Sequence, residues 1–270
     1  MKTLIICGSH PRHYFILKPL FKEFKNIKCI MMKRESVKFG PEYKYNNNFE
    51  KKLLKKHFNI RYKKEKKYFG IENISKKFLK EEIIFTKNST LNSNKTLRFV
   101  EKFKPNLCFI MGSGILKKKL MKKLPKLTIN IHLGLSPWYR GSATLFWPSY
   151  NLEPWKTGVT FHKIDQNIDS GPILHQCVPK LKKNMGVVDL SISAIKKARN
   201  DLRFIIKKIK RKKKLTFKPQ SSNSRTYLTK TFRAVHLKLI YEFFDDKIVN
   251  YFLKEKKAIP KINLVQIKLK

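Results

Sequence analysis

Asn130 and His132 stand two positions apart in a run that alternates polar and apolar residues from Thr128 to His132. Alternation of this kind marks a half-buried strand, so both side chains leave one face and a carboxamide stands beside an imidazole. A second apolar run over residues 159–164 leads into DQNIDSGP, a loop bearing the carboxylates of Asp165 and Asp169. An imidazole near neutrality passes protons, an amide can hold charge developing on an oxygen, and a carboxylate from a neighbouring loop orients and charges the ring. That set suits acyl-type transfer to an amine. Each residue alone also has a plainer use: Asn130 as a turn tie, His132 as a hydrogen-bonded core histidine, Asp169 as ordinary turn chemistry. Residue types leave both readings open.

The order of the pieces adds to this. Asn130-x-His132 is followed by Pro137-x-Tyr139-Arg140-Gly141, by Thr157-Gly158-Val159-Thr160-x-His162, and by Ile168-Asp169-Ser170-Gly171-Pro172-Ile173-Leu174. This succession resembles the signature of the folate-dependent formyltransferase family, which includes glycinamide ribonucleotide, methionyl-tRNA and amino-sugar formyltransferases. The resemblance covers residues 106–176 and is weak elsewhere. It implies 10-formyltetrahydrofolate as formyl donor and a primary amine as acceptor.

By the same resemblance, His132 would be the general base or proton shuttle and Asn130 would hydrogen-bond the formyl oxygen. Asp169 would polarise His132 and raise its pKa. Gly112, Ser113, Gly114, Ile115 and Leu116 would line the pterin pocket through their backbone, with Gly134, Leu135, Ser136 and Pro137 beside them. The turn carrying Asp165, Ile168 and Asp169 would fold against the pterin. Tyr139, Arg140 and Gly141 would face the acceptor. One departure stands out: family members usually follow the histidine with x-Ser-Leu-Leu-Pro, where this chain has Leu133-Gly134-Leu135-Ser136-Pro137. The backbone path is expected to persist while side-chain contacts change.

The elements that must position these residues alternate between strand and helix. Residues 3–7 read as a strand, 8–13 as a loop and 14–24 as a helix, a Rossmann-like start without the full glycine fingerprint for a dinucleotide. Amides at that helix start, with Ser9 and Arg12 or His13, could hold a phosphate of the acceptor; a plain strand-to-helix turn explains the same residues. Residues 27–32 and 82–86 read as strands, and 94–103 as a helix stopped by Pro105. Residues 106–111 form a continuous apolar run of the kind covered on both faces. The stretch 33–67 is expected to be a polar surface excursion with one short helix near 49–58, and 116–124 another helix. Val188, Ile192, Ile195, Leu202, Ile206 and Ile209 recur at helical spacing, predicting a long amphipathic helix over 187–210. The expected fold class is therefore α/β, a Rossmann-like and mostly parallel sheet with helices on both faces, followed by a small, mainly helical C-terminal extension. The loops at 112–116, 134–141 and 165–172 would all lie at the strands' carboxyl ends. Residues 1–214 would form the catalytic domain and 215–270 the extension, with a polar linker at 219–225, a small strand at 227–228 and helices at 234–244 and 248–254. Trp138, Tyr139, Phe146, Trp147 and Trp155 suit either a stacking wall beside the site or core packing beneath the loop.

Bulk properties bound the rest. Sixty-two Lys and Arg against 18 Asp and Glu give a formal net charge of +44. A polyanion footprint is one reading; the dispersion of the lysines along a chain rich in Lys, Asn, Ile and Phe favours a solvated, compositional charge. Cys7, Cys29, Cys108 and Cys177 lie far apart within or beside apolar runs, as buried thiols in a reducing cytoplasm do, rather than as a disulfide frame. No His/Cys cluster has metal-ligand spacing. No apolar run approaches a membrane-spanning length, and no signal peptide is expected. The reading that follows is a cytoplasmic formyltransferase acting on a small anionic amine, with a nucleotide-linked amino sugar preferred. A divergent methionyl-tRNA formyltransferase with a tRNA partner, a glycinamide ribonucleotide transformylase-like enzyme, a formyl-donor hydrolase and a non-catalytic folate-binding relative are the alternatives. Residues 8–13 match neither of the first two alternatives, and the C-terminal segment is expected to be too short for a tRNA-binding barrel.

Overall fold

A computed structural model of the chain describes residues 1–33, 44–70, 82–221, 225–254 and 259–267. Seven strands form one sheet in the order β3-β2-β1-β4-β5-β7-β8: β1 Lys2–Gly8, β2 Asn26–Met32, β3 Glu82–Thr86, β4 Leu107–Met111, β5 Thr128–His132, β7 Val159–Lys163 and β8 Ile173–Cys177. The first five are parallel, whereas β7 runs antiparallel to β5 and β8 antiparallel to β7. The fold is thus the mostly parallel α/β class that the strand and helix alternation predicts.

Strand alternation sends side chains to two separate cores. Ile5, Cys7, Phe109, Ile129, Ile131 and Phe161 pack on the face covered by α1 (Pro11–Glu23), α2 (Asn48–Phe69) and α6 (Val187–Lys210). Leu4, Ile6, Cys108 and Ile110 face α3 (Asn94–Phe103) and α4 (Lys118–Met121). Asn130 lies opposite Ile110 in register and so belongs to this second face. All four cysteines are buried free thiols. No helix among the described residues is long and apolar enough to cross a membrane.

Helix α6 has the bounds its apolar stripe predicts, but four other helices differ, α1 opening at Pro11 inside the expected loop rather than at residue 14. The excursion expected over 33–67 contains α2, 22 residues long rather than a short helix; its residues 34–43 lie outside the described residues. The Asn47 side chain caps its first turn by accepting from the Glu50 amide, and Leu53, Leu54, His57, Phe58 and Phe69 are buried along it. The lysines between them occupy the solvent face, where their good helix propensity extends the element. Helix α4 is only four residues long. The Asn92 side chain donates to the Ile115 carbonyl at 3.0 Å and accepts from the Lys117 amide at 2.7 Å, keeping the preceding chain out of the helix. The helix expected over 234–244 is a single α turn, α7 (His236–Lys238), running into a π turn, Leu239–Phe243. Ala234, Leu237, Ile240 and Tyr241 nevertheless join the core of α1 and α6, and α8 (Ile248–Lys254) follows.

His57 of α2 is buried, and its Nδ1 lies 2.8 Å from the Tyr241 hydroxyl. Burial pushes the imidazole down to about 4, against a smaller opposing pull from Glu65. An unfolded chain takes up this proton near pH 6.5 while the native chain resists it, so the unfolded state binds more protons between these values. Stability held above about pH 6.5 is therefore lost as pH falls toward 4, by at most about 3 kcal/mol. The stability difference between wild type and His57→Gln, read from urea midpoints, should shrink steadily as pH is lowered across that window.

Candidate active site

The site is built on β5 and β7. Antiparallel pairing sets Asn130 opposite His162 and His132 opposite Thr160, so these four side chains share one face while Ile129, Ile131 and Phe161 enter the core behind. The loop after β7 then folds over this face. Asp169 brings its Oδ2 to 3.1 Å from His132 Nδ1 and its Oδ1 to 3.6 Å from His162 Nε2. The Asn130 amide nitrogen donates to Asp169 Oδ1 at 3.1 Å and lies 3.0 Å from His162 Nε2. The Gly141 amide donates to Asp169 Oδ2 at 3.0 Å. His162 Nδ1 lies 2.7 Å from the Lys163 carbonyl, which can only accept, so this nitrogen carries a proton.

The sequence placed loop 165–172 at the carboxyl ends of the strands with 112–116 and 134–141. The latter two do leave the ends of β4 and β5. Because β7 is antiparallel, loop 165–172 starts beside Ile129 instead and reaches the site across the face of the sheet. Asp169 adopts the left-handed conformation with φ of 49°, which Asp tolerates better than most residues. Gln220 holds it there, donating to the Asp169 carbonyl at 3.0 Å and to the Gly171 carbonyl at 2.7 Å.

Loop 133–141 closes over the imidazole. A Cβ at position 134 would lie 2.3 Å from His132 Nε2 and 2.6 Å from the Tyr139 carbonyl oxygen, so only glycine fits there. The loop's buried backbone is fully engaged where it matters: Thr160 Oγ1 donates to the Gly134 carbonyl at 2.8 Å and accepts from the Ser136 amide at 3.0 Å. Thr144 Oγ1 and Gln176 Nε2 hold the Leu133 and Ser136 carbonyls, each at 2.5 Å. His132 Nε2 lies 2.9 Å from the Tyr139 carbonyl.

Electrostatics follow from this packing. Burial is the strongest influence on Asp169 and pushes its carboxyl upward, but His132, His162 and the Gly141 amide together hold it well below the usual carboxylate range. For His132 burial is again the largest influence. It outweighs the upward pull of Asp169 and of the Tyr139 carbonyl, with His162 adding to the downward side, so the ring sits below the ordinary imidazole value. The sequence-based expectation of a raised His132 pKa is corrected: desolvation in a site this closed exceeds the attraction of one carboxylate. A neutral imidazole beside an ionised aspartate is competent to accept a proton, and the Asn130 amide next to it can donate to a developing oxyanion.

Other expected residues take varied places. Ile115 is 76 % exposed and Ile168 40 % exposed, two apolar side chains presented on the loops after β4 and β7. Gly112 has φ of 62°, and a Cβ there would meet the His13 ring at 2.4 Å; Gly114 packs as closely on Asn88. Ser113 donates to the Gly114 carbonyl, Leu135 and Ser136 are buried, and Asp165 accepts from Ser170 within its own turn. Tyr139 is turned into the core, its hydroxyl donating to Glu153 at 2.7 Å. The Ser9 amide donates to the Met32 carbonyl, and Arg12 pairs with Glu65 of α2 at 3.3 Å. Arg140 is half-buried, and its Nε has no hydrogen-bond partner among the described residues. Residues 139–141 form strand β6, paired in parallel with β9 (Arg225–Tyr227). Tyr227 stacks on Tyr139 and on Trp147, with centroids 5.7 and 4.8 Å away.

His162, Thr160 and Gln220 were absent from the sequence-based site. The pattern Thr160-x-His162 was visible and mirrors Asn130-x-His132, so an antiparallel pairing of the two runs would have found them. Gln220 carries no local signal at all.

The formyl transferase family profile matches residues 52–201, more than half of the chain. The chain therefore belongs to the formyl transferase family, a family of formyl-transfer enzymes. The bifunctional polymyxin resistance protein ArnA of Wigglesworthia glossinidia brevipalpis is 34 % identical over 134 residues, which is 49 % of this chain and 19 % of that protein. GDP-perosamine N-formyltransferase of Brucella melitensis biotype 1 is 33 % identical over 86 residues, 32 % of this chain and 33 % of that protein. Methionyl-tRNA formyltransferases make comparable matches, that of Pelagibacter ubique at 31 % identity over 52 % of this chain and 46 % of its own length. The matched stretch thus spans less than half of each of these relatives. In structure, the N-formyltransferase of Helicobacter canadensis in complex with folinic acid and dTDP-3-aminofucose superposes with a TM-score of 0.61 at 17 % identity, over 97 % of this chain and 85 % of that one, a likeness of fold.

Gly141 has φ of 94°, and a Cβ there would lie 2.1 Å from the Tyr227 carbonyl oxygen. Gly141→Ala should break the β6–β9 pairing and move an amide off Asp169, lowering stability by about 1–3 kcal/mol. Urea denaturation checks the stability loss.

Proposed function

We propose that this protein transfers the formyl group of 10-formyltetrahydrofolate to the primary amine of a nucleotide-linked amino sugar. The observation that carries the reading is the convergence of Asn130, His132 and Asp169 on one face. Asn130 donates to the formyl oxygen as negative charge builds there, giving up its present bond to Asp169 or His162. His132 takes the proton that the amine loses as its nitrogen bonds to the formyl carbon, and passes it toward the donor nitrogen as the old carbon–nitrogen bond breaks. Asp169 keeps the ring oriented and stabilises its charged form. The backbone of 112–116 and the exposed Ile115 and Ile168 suit a flat, partly apolar pterin; folinic acid in the Helicobacter canadensis complex is a folate of this kind. Arg140, with its unpartnered Nε, suits the phosphate of the acceptor. The Brucella melitensis relative, whose name carries a GDP-linked sugar, supports the same acceptor class.

A second reading, transfer to aminoacylated initiator tRNA, is favoured by the net charge of +44 and by the methionyl-tRNA formyltransferase relatives. Incubating the purified chain and formyl donor with a panel of nucleotide-linked amino sugars, glycinamide ribonucleotide and charged tRNA separates them. A mass gain of one CO on an amino sugar is expected. Formylation of the tRNA alone would overturn the acceptor assignment, and tight donor binding with no transfer to any amine would overturn the enzyme reading. His132→Ala and Asn130→Ala should each lower kcat by about 10²–10³-fold. With His132 below its ordinary value, kcat/KM should be level through neutral pH and fall only on the acid side of about pH 6.5.

A further inference from the structure

We propose that the cleft between α1 and α6 is a second binding site, built for a nucleoside di- or triphosphate. Its open concave space measures about 510 Å³, the scale of small-molecule sites. Lys18 and Lys22 line it from α1, and Arg199, Arg203 and Lys207 from α6. Each set repeats every four residues, so two cationic ridges face one another across a concave space. The one acid in the lining, Glu23, is already paired with Lys210 at 2.7 Å and does not neutralise them.

In a chain with 62 basic residues, cations on a surface are unremarkable; concavity and uncompensated charge distinguish this group. Arg199 lies over the Phe15 ring with its Cζ 4.3 Å from the centroid, and its Nε is buried without a hydrogen-bond partner among the described residues. Burial first, and then the neighbouring Arg203 charge, pull the guanidinium below its usual value, against a smaller opposing pull from Tyr14. An anion with several charges would neutralise the two neighbouring guanidinium groups and relieve their repulsion. Phe204, 39 % exposed, and Asn200 complete the lining with a flat apolar surface and an amide, which suit the ring and edge of a base. The cavity holds one nucleotide rather than a run of nucleic-acid backbone. It is also remote from the formyl-transfer site. The second halves of α1 and α6 descend toward the edge of the sheet where β2 begins, whereas loops 112–116 and 134–141 leave the opposite edge.

Calorimetric titration of the full chain with ADP and UDP tests this, with inorganic pyrophosphate and a short single-stranded RNA as comparison probes. An Arg140→Gln background removes the nucleotide contact proposed for the acceptor, so failure of one assignment is separable from failure of the other. Nucleoside diphosphate binding that persists in Arg140→Gln and weakens at least about tenfold on adding Arg199→Gln/Arg203→Gln is expected, with formyl transfer unaffected by the latter pair. Lys22→Gln/Lys207→Gln, at the periphery of the cleft, should weaken binding in the same direction and serves where the arginine variant does not fold. Unchanged affinity in both double variants would overturn the proposal. So would pyrophosphate binding as tightly as ADP, because the ring would then go unread, or RNA binding in clear preference to nucleotides.

Discussion

One half-buried carboxylate organises the site. Asp169 approaches His132, Asn130, His162 and the Gly141 amide, groups from three strands, β5, β7 and β6. A carboxylate taken out of water at this depth persists only with such partners. The partners are in turn fixed by it, since the Asn130 amide and the Gly141 amide both point at its oxygens. The left-handed backbone at Asp169 and the two Gln220 bonds on the far side of its turn hold the carboxylate at a position the local chain would not select by itself.

The direction of one strand makes that convergence possible. In an all-parallel sheet, a loop following β7 would leave beside the end of β5 and continue away from Asn130. With β7 antiparallel, Thr160 and His162 pair across from His132 and Asn130, and the loop begins beside Ile129, at the amino end of β5. Because β8 lies directly beside β7, residues 164–172 leave and re-enter the sheet at one place as an excursion from a hairpin, and Asp169 on that excursion lies over the polar face, against Asn130 and His132.

Much of this was legible in the residues. The alternation at 128–132 placed Asn130 and His132 side by side, and the apolar stripe of α6 set that helix residue by residue, because each depends only on neighbours a few positions apart. The length of α2 was not legible: its lysines resemble a polar loop in composition, and the helical face shows only when Leu53, His57 and Phe69 are seen to share a core. Nor was the π turn at 239–243, where burial of Ile240 and Tyr241 against distant helices overrides local helical spacing. The polarity of β7 and the part played by Gln220 depend on contacts across tens of residues. The pKa of His132 was misjudged for a related reason. The attraction of Asp169 can be inferred from motif order, whereas the desolvation that exceeds it arises from a loop folded onto the ring.

That loop also explains how the imidazole can move protons. Gly134 stands where the family pattern has serine, and the space it leaves is filled by the His132 ring and the Tyr139 carbonyl. As a result both ring nitrogens face oxygen, Nδ1 toward Asp169 and Nε2 toward Tyr139. A neutral ring can donate to only one of these oxygens; the protonated ring donates to both. Burial opposes the charge while the two oxygens favour it. Gaining or losing a proton is therefore less costly than burial alone would make it, and the neutral form keeps the advantage at neutral pH. A group that must take a proton from an amine and then surrender it is served by these opposing influences more than by strong basicity.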